Sequence, residues 1–139
     1  MNMSPGMKKM FTDEIRFILK NMRNTNVPKQ KWYFFSATHA MALRILNIEY
    51  DPELLLIFQV LQTTYNTING RLAALSTGQE VGVGMPDGLI SKIEGELENL
   101  LNSIDAGEKT YPILQRIANI AYSTTGNGYY LYLKGMLKI

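Results

Sequence analysis

Hydrophobic side chains recur every three or four residues along most of the chain, a spacing that places them on one face of an α-helix. The first segment with this pattern begins at Ser4-Pro5, since serine and proline are both common at helix N-termini. Its apolar positions step by four, four, three and four residues: Met7, Phe11, Ile15, Ile18 and Met22. We expect this helix to end near residues 24–26, ahead of Pro28.

The next two segments also predict helices. The second, about residues 31–48, is apolar on nearly every side, which is typical of a central helix in a bundle. The third has the clearest start signal, because Asp51, Pro52 and Glu53 supply a capping acceptor, a first-turn proline and an acid at the positive end of the helix dipole. Its apolar positions alternate like a coiled-coil seam: Leu54, Phe58, Leu61, Tyr65, Ile68, Leu72 and Leu75.

A glycine-rich stretch over residues 76–88 predicts a flexible connector. A fourth helical segment follows to about residue 105, with Asp87 as its expected cap and Gly107 just past its end. We therefore expect residues 52–76 and 88–105 to form a long antiparallel helical hairpin, with apolar seams that face each other or a shared core.

The last third of the chain predicts one helix and one ambiguous element. A fifth helical segment begins at Tyr111-Pro112. Residues 129–139 fit a sixth helix, but their Tyr-Tyr-Leu-Tyr-Leu run also has high β-propensity, so a terminal strand stays open. The predicted fold is all-α: one domain over residues 1–139, a compact bundle of five to six helices, with residues 1–6 as an N-terminal arm.

The amino-acid composition excludes several kinds of chemical site. A chain of 139 residues has the length of one domain. It has no cysteine, which excludes disulfides, thiolate zinc sites and cysteine nucleophiles. A single histidine, His39, excludes a multi-histidine metal site within one chain, and we expect no cofactor. The uncharged run of residues 54–70 is too polar for a membrane span, so we expect a cytoplasmic protein or one inside a viral or nucleoprotein particle.

Charge is unevenly distributed along the chain. Residues 1–50 carry eight basic and three acidic side chains, a net charge of +5. Residues 51–107 carry a net charge of −6, and residues 108–139 a net charge of +3. Such segregation indicates either a basic face or complementary faces for neighbouring copies, unless folding mixes the segments.

In the N-terminal third, Lys29 and Lys31 directly precede an aromatic run at residues 32–35, a pattern typical of proteins that bind nucleic-acid backbones and stack bases. The candidate nucleic-acid contacts are Lys8, Lys9, Arg16, Lys20, Arg23, Lys29, Lys31 and Tyr33. The alternative is that Trp32 and Phe35 are core residues and that the cations bind an acidic protein. The pattern does not distinguish among binding to DNA, binding to RNA and no binding to nucleic acid.

A second candidate surface is the neutral, amide-rich face of the third helix. Its residues are Gln59, Gln62, Thr63 and Asn66. Solvent-facing helix surfaces usually carry Lys and Glu, so this face predicts a contact with another macromolecule, most simply protein.

Three further patterns resemble chemical sites without satisfying them. His39 has Ser36 one turn earlier on the same helix, but neighbours on one helix rarely form a catalytic set, so a partly buried structural histidine is favoured. The glycine loop lacks the Gly-Lys-Ser/Thr of a phosphate loop. Of the three acids Glu94, Glu96 and Glu98, only the first and last share a helix face, which favours a solvated surface over a metal site.

These observations favour a non-catalytic helical subunit of a larger assembly, in particular a nucleoprotein complex. Small subunits of CRISPR effector complexes and helical viral coat proteins have this general size and helicity. The alternative is a homo-oligomeric helical scaffold or regulator that touches no nucleic acid. An enzyme is the least favoured class, because few titratable groups are available to converge on a site.

Overall fold

The structure is a computed structural model that describes residues 1–76 and 88–125, and every regular element among them is an α-helix. The five helices are α1 (Pro5–Arg23), α2 (Pro28–Leu46), α3 (Pro52–Ser76), α4 (Leu89–Asp105) and α5 (Tyr111–Thr125). The all-α prediction is confirmed. The predicted glycine-rich connector, the Asp87 cap and the sixth element at residues 129–139 lie outside the described residues.

The helix starts follow the local sequence signals. Pro5, Pro28 and Pro52 each open a helix, because a residue at the first helical position needs no N–H hydrogen bond within the helix. Asp51 caps α3 as predicted, since its Oδ1 accepts hydrogen bonds from the backbone N–H groups of Glu53 (2.9 Å) and Leu54 (3.1 Å). Ser4 does not cap α1; its hydroxyl donates to Glu49 instead, at 2.8 Å.

Glycine ends α4 where it was expected. Gly107 has φ = 71°, a left-handed conformation that glycine adopts without a steric penalty. Its N–H donates to the Ile104 carbonyl at 3.1 Å, which satisfies one of the free carbonyls at the helix end.

Each helix packs mainly against two neighbours, and the neighbours close into a ring in the order α1, α2, α3, α5, α4 and back to α1. This order corrects the expectation of a direct hairpin. Although α3 and α4 are consecutive helices, α3 packs against α2 and α5, whereas α4 packs against α1 and α5. The two apolar seams meet a shared core because α5 supplies a third apolar stripe between them, with Ile113, Leu114 and Ile117 buried.

The core lies inside this ring. Its largest fully buried side chains come from the first four helices and include Trp32, Phe11, Phe35, Ile57 and Leu97. The Trp32 and Phe35 rings stack with their centroids 4.2 Å apart, and the Trp32 indole N–H donates to the Tyr65 carbonyl at 2.9 Å. These contacts confirm the core assignment of both aromatic residues and fasten α2 to α3.

Among the described residues, fewer side chains of α3 than of α2 are exposed. The seam predicted for α3 is largely buried at Leu54, Leu61 and Ile68, but Phe58 and Tyr65 are only partly buried. Ile57, Val60 and Thr64 are buried as well, because α5 covers the side of α3 that faces away from α2. By contrast, α2 keeps an exposed outer side.

A buried carboxylate joins the chain start to two helix starts. Glu53 is 4% exposed, and its Oε1 lies 3.1 Å from the Met1 ammonium, which is partly buried. Its Oε2 accepts hydrogen bonds from the Thr110 N–H (2.8 Å) and the Thr110 hydroxyl (2.6 Å), just ahead of α5. The adjacent Asp51 Oδ2 accepts from the Asn2 N–H at 2.9 Å, so residues 1–4 are fixed against the start of α3.

These contacts set the protonation of Glu53. Burial raises the pKa of the Glu53 carboxyl, but the two Thr110 hydrogen bonds and the Met1 ammonium outweigh burial and hold the pKa below its ordinary value of 4.5. The carboxylate is therefore ionised in the folded protein at neutral pH.

Replacement of Leu61 by alanine should lower the free energy of unfolding by about 2–5 kcal/mol, because Leu61 is fully buried and the smaller side chain leaves a cavity. Chemical denaturation followed by circular dichroism measures the change. The same substitution at Leu43, which is 44% exposed, serves as the control and should cost less than about 1 kcal/mol. An equal loss of unfolding free energy at both positions would contradict the burial of Leu61 in the core.

Glu53→Gln should lower the free energy of unfolding at pH 7 by about 2 kcal/mol, because it weakens the charge-assisted hydrogen bonds that the buried carboxylate makes with the Met1 ammonium and Thr110. The stabilisation from Glu53 is complete above the unfolded-state pKa near 4.5 and is lost as the pH falls through the lower folded-state pKa. Urea titrations at pH 7 and at pH 3 should therefore differ less in the variant. Glu98→Gln, in a pair that is about half exposed, is the control and should change little.

Candidate functional site

The five candidate cations of α1 are brought together along one groove. Two adjoining clefts of about 490 and 310 Å³ lie between α1 and the C-terminal half of α4 and share Arg16. The cations that line them are Lys8, Lys9, Arg16, Lys20 and Arg23. The last four are seven, four and three residues apart, which puts them on one side of α1 beside the inward stripe, and Lys8 adjoins Lys9. We refer to this feature as the α1–α4 groove.

Acidic side chains occupy the same groove and pair with three of these cations. Arg16 pairs with Asp105 of α4, and Arg23 contacts both carboxylate oxygens of Glu98 at 3.3 and 3.4 Å. Within α1, Lys9 pairs with Asp13 at 2.6 Å. Any polyanion at this groove would have to compete with these carboxylates for the guanidinium groups.

Lys31 is a structural cation rather than a surface contact. Its side chain is 16% exposed, and its ammonium donates to the Met22 carbonyl at 2.8 Å and to Glu94 at 3.0 Å. The ammonium thereby ties the end of α1 and the start of α2 to α4. Glu94 is itself buried, so both charges of this pair are enclosed by the protein.

Three of the candidate cations have no acidic partner within 4 Å among the described residues: Lys8, Lys20 and Lys29. Lys29 is followed one helical turn later by Tyr33, whose side chain is 73% exposed. These four residues are the part of the predicted nucleic-acid surface that is free to meet a partner.

Folding therefore mixes much of the segregated charge. The basic α1 and α2 face the acidic α4, and the pairs formed by Arg16, Arg23 and Lys31 all cross to α4. On the other side of α4, Arg116 of α5 pairs with Glu96. The charge pattern that suggested a partner in the sequence is thus largely used within the chain.

The three acids considered as a metal cluster are separated by these pairs. Glu94, Glu96 and Glu98 each contact a cation from a different helix. Within residues 1–76 and 88–125, no group of three histidine, cysteine or acidic side chains is arranged to hold a metal ion.

His39 lies between helices α2 and α3, with its ring 5.5 Å from that of Tyr65 and 6.2 Å from that of Phe58. Its Nε2 is buried and has no hydrogen-bond partner among the described residues. Burial lowers the pKa of His39 from its usual 6.5, because an apolar setting disfavours the imidazolium form. Among the described residues, His39 makes no hydrogen bond or ion pair with an acid or a nucleophile, and its ring neighbours are aromatic.

The amide-rich face of α3 is only partly open. Gln59, Gln62 and Thr63 are half-buried, and Asn66 is exposed. This face therefore offers a partner less exposed surface than its sequence suggested.

The sequence pattern did not single out a set of exposed apolar side chains. Among the described residues, seven large hydrophobic side chains are more than 40% exposed, and all of them lie between residues 10 and 50: Met10, Phe17, Val27, Tyr33, Leu43, Ile48 and Tyr50. The signal that could have found Met10 and Phe17 is their seven-residue separation, which places them on one face, away from the inward stripe of α1. We call the exposed side of helices α1 and α2 the α1–α2 outer face.

Comparisons with known proteins add no assignment. No family model matches the chain, and neither a curated protein nor a solved structure matches it. None of the described helices combines the length and the apolar character needed to cross a membrane.

Proposed function

We propose that this protein is a non-catalytic helical subunit of a larger assembly and that it binds another protein chain through the α1–α2 outer face. The observation that carries the proposal is the confinement of every strongly exposed large apolar side chain in the described residues to the segment that forms this face and its adjoining turns.

The distribution of these side chains supports a contact surface over chance exposure. Single exposed hydrophobic residues are common on soluble proteins and need no explanation. Here, however, the described parts of α3, α4 and α5 contribute none, whereas α1, α2 and their turns contribute seven. Concentrated apolar surface with polar residues around it is typical of protein interaction sites.

The remaining chemistry supports a role without catalysis. Within the part of the chain that the structure describes, His39 bonds to neither an acid nor a nucleophile, and three of the five cations in the α1–α4 groove are neutralised by ion pairs. General acid–base catalysis needs titratable groups that converge on a substrate position, and the described residues contain no such arrangement.

Phe17→Glu tests the proposal, because Phe17 is 62% exposed and a carboxylate there would oppose an apolar contact without disturbing the core. Tagged wild-type and variant chains are expressed at native level in the source cells, and their particles are compared by size-exclusion chromatography and mass spectrometry. We expect the wild type to elute in a larger particle, with the variant at least tenfold depleted from it.

Asn119→Glu is the matched control, since it places the same charge at an exposed position of α5 and should leave the particle intact. A wild-type chain that elutes as a free monomer, or a Phe17→Glu chain that keeps its particle, would overturn the proposal.

A second candidate function, backbone binding to a nucleic acid, is favoured by one observation. Lys8, Lys20 and Lys29 have no acidic partner among the described residues, and Tyr33 stands exposed one turn after Lys29. Unpaired cations near an exposed aromatic ring can contact phosphates and stack a base.

Titration of fluorescent single- and double-stranded oligonucleotides tests this second function. We expect binding to weaken steeply with salt, and the Lys20→Glu, Lys29→Glu double variant to bind at least tenfold more weakly with an unchanged melting temperature. Lys92→Glu, on the exposed side of α4, is the control. No binding at low salt would remove the nucleic-acid function and leave the protein-binding function in place.

A further inference from the structure

Six exposed residues form a straight stripe along the outer side of α2. They are Gln30, Tyr33, Ala37, Ala40, Arg44 and Asn47. They follow one another three, four, three, four and three residues apart, which is the spacing of a coiled-coil seam. Asn47 caps α2 with helical dihedral angles (φ −71°, ψ −18°), so it continues the same line.

The order of residues in this stripe is self-complementary in the antiparallel direction. If a second α2 is related by a two-fold axis that passes between Thr38 and His39, Ala37 of each copy lies level with Ala40 of the other. Tyr33 then lies level with Arg44 of the second copy, and Gln30 lies level with Asn47. Every residue of the stripe thus meets a residue of suitable chemistry.

Two of these pairings, Ala37 with Ala40 and Tyr33 with Arg44, favour contact between the two helices. The two alanines at the centre allow the backbones to approach closely. The exposed Tyr33 ring can receive the Arg44 guanidinium on its face, because the ring quadrupole attracts a cation. Arg44 is available for this role, since it has no acidic partner within 4 Å among the described residues.

The charges also select the direction. In a parallel pair, Arg44 would lie beside Arg44 of the second copy, and the two guanidinium groups would repel each other. The antiparallel pair separates them by about 16 Å along the axis, since eleven residues rise by about 1.5 Å each.

We infer that the partner of the α1–α2 outer face is a second copy of this chain, held in a two-fold dimer by antiparallel pairing of α2. The inference rests on the proposed function, because it names the protein that this surface binds. Such a contact is isologous: the same stripe serves both subunits and closes the assembly at two copies.

Sedimentation equilibrium of the purified chain tests the dimer. We expect the wild type to dimerise and Ala37→Arg to weaken dimerisation at least tenfold, because an arginine at the centre of the stripe prevents close approach and adds a charge near Arg44 of the second copy. Arginine is a good helix former, so the variant should keep its melting temperature. Ala73→Arg, the same change at an exposed position of α3, is the matched control and should dimerise like the wild type.

Cross-linking tests the direction of the pair, and the absence of natural cysteine makes the background clean. A mixture of Gln30→Cys and Asn47→Cys chains should form a covalent dimer with a short bis-maleimide linker. Each variant alone should not, because like positions are about 25 Å apart in the antiparallel pair. Efficient cross-linking of either variant alone would overturn the antiparallel arrangement.

The two proposals can fail separately. A wild-type chain that stays monomeric at every concentration overturns the dimer, even if its particle in cells is still lost on Phe17→Glu, and in that case the proposed function stands with a different protein as partner. A dimer that Ala37→Arg leaves unchanged also overturns the assignment to α2.

Discussion

The enclosed carboxylate of Glu53 is the constraint on which the arrangement of the helices most depends. A charge that is almost fully removed from water is stable only if other groups replace its hydration. Glu53 obtains them from the Met1 ammonium on one side and from the Thr110 N–H and hydroxyl on the other. One side chain at the start of α3 thereby sets the position of the N-terminal arm and of the start of α5.

A second enclosed charge acts in the same way at the opposite end of the helices. The Lys31 ammonium joins the last turn of α1 to α4 through Met22 and Glu94. Such pairs contribute little net stability compared with apolar residues of the same size, but removing one partner is costly. We regard them as devices that select one helix order from several that would bury similar apolar area. The basic N-terminal third therefore needs the acidic α4. Charges that suggest a binding surface in the sequence are largely paired with each other in the folded chain.

Most helix boundaries could be predicted from the sequence, because the residues that start and end a helix lie at its own ends. Asp51, Pro5, Pro52 and Gly107 act within four residues of themselves, and the structure places them as predicted, whereas α2 begins at Pro28, three residues before its predicted start. Which helices pack against each other, by contrast, depends on residues that are far apart in the sequence. The seam of α3 predicted that another apolar helix packs on it, and the expected helix was α4. In the structure α5 packs there, because its own stripe of Ile113 and Ile117 is buried in the same core.

The same distinction applies to the candidate site. Residue type identified the cations of α1, and the structure lines one groove with them. It could not reveal that Asp105 and Glu98 lie against Arg16 and Arg23, since these partners are 89 and 75 residues away in the chain. Nor could it show that Phe17 faces outward, because an apolar residue beside an inward stripe can belong to a wide core face as easily as to a contact surface. Tyr33, by contrast, was expected at the surface and is exposed.

The closed ring of neighbours has a consequence for how the molecule comes apart. In a row of helices, an end helix can detach while the others keep their contacts. In this ring every described helix covers two others, so the departure of any one opens two interfaces and wets the common core. Partial unfolding therefore gains little entropy for the apolar surface it exposes, and the five helices should melt as one cooperative unit rather than in stages.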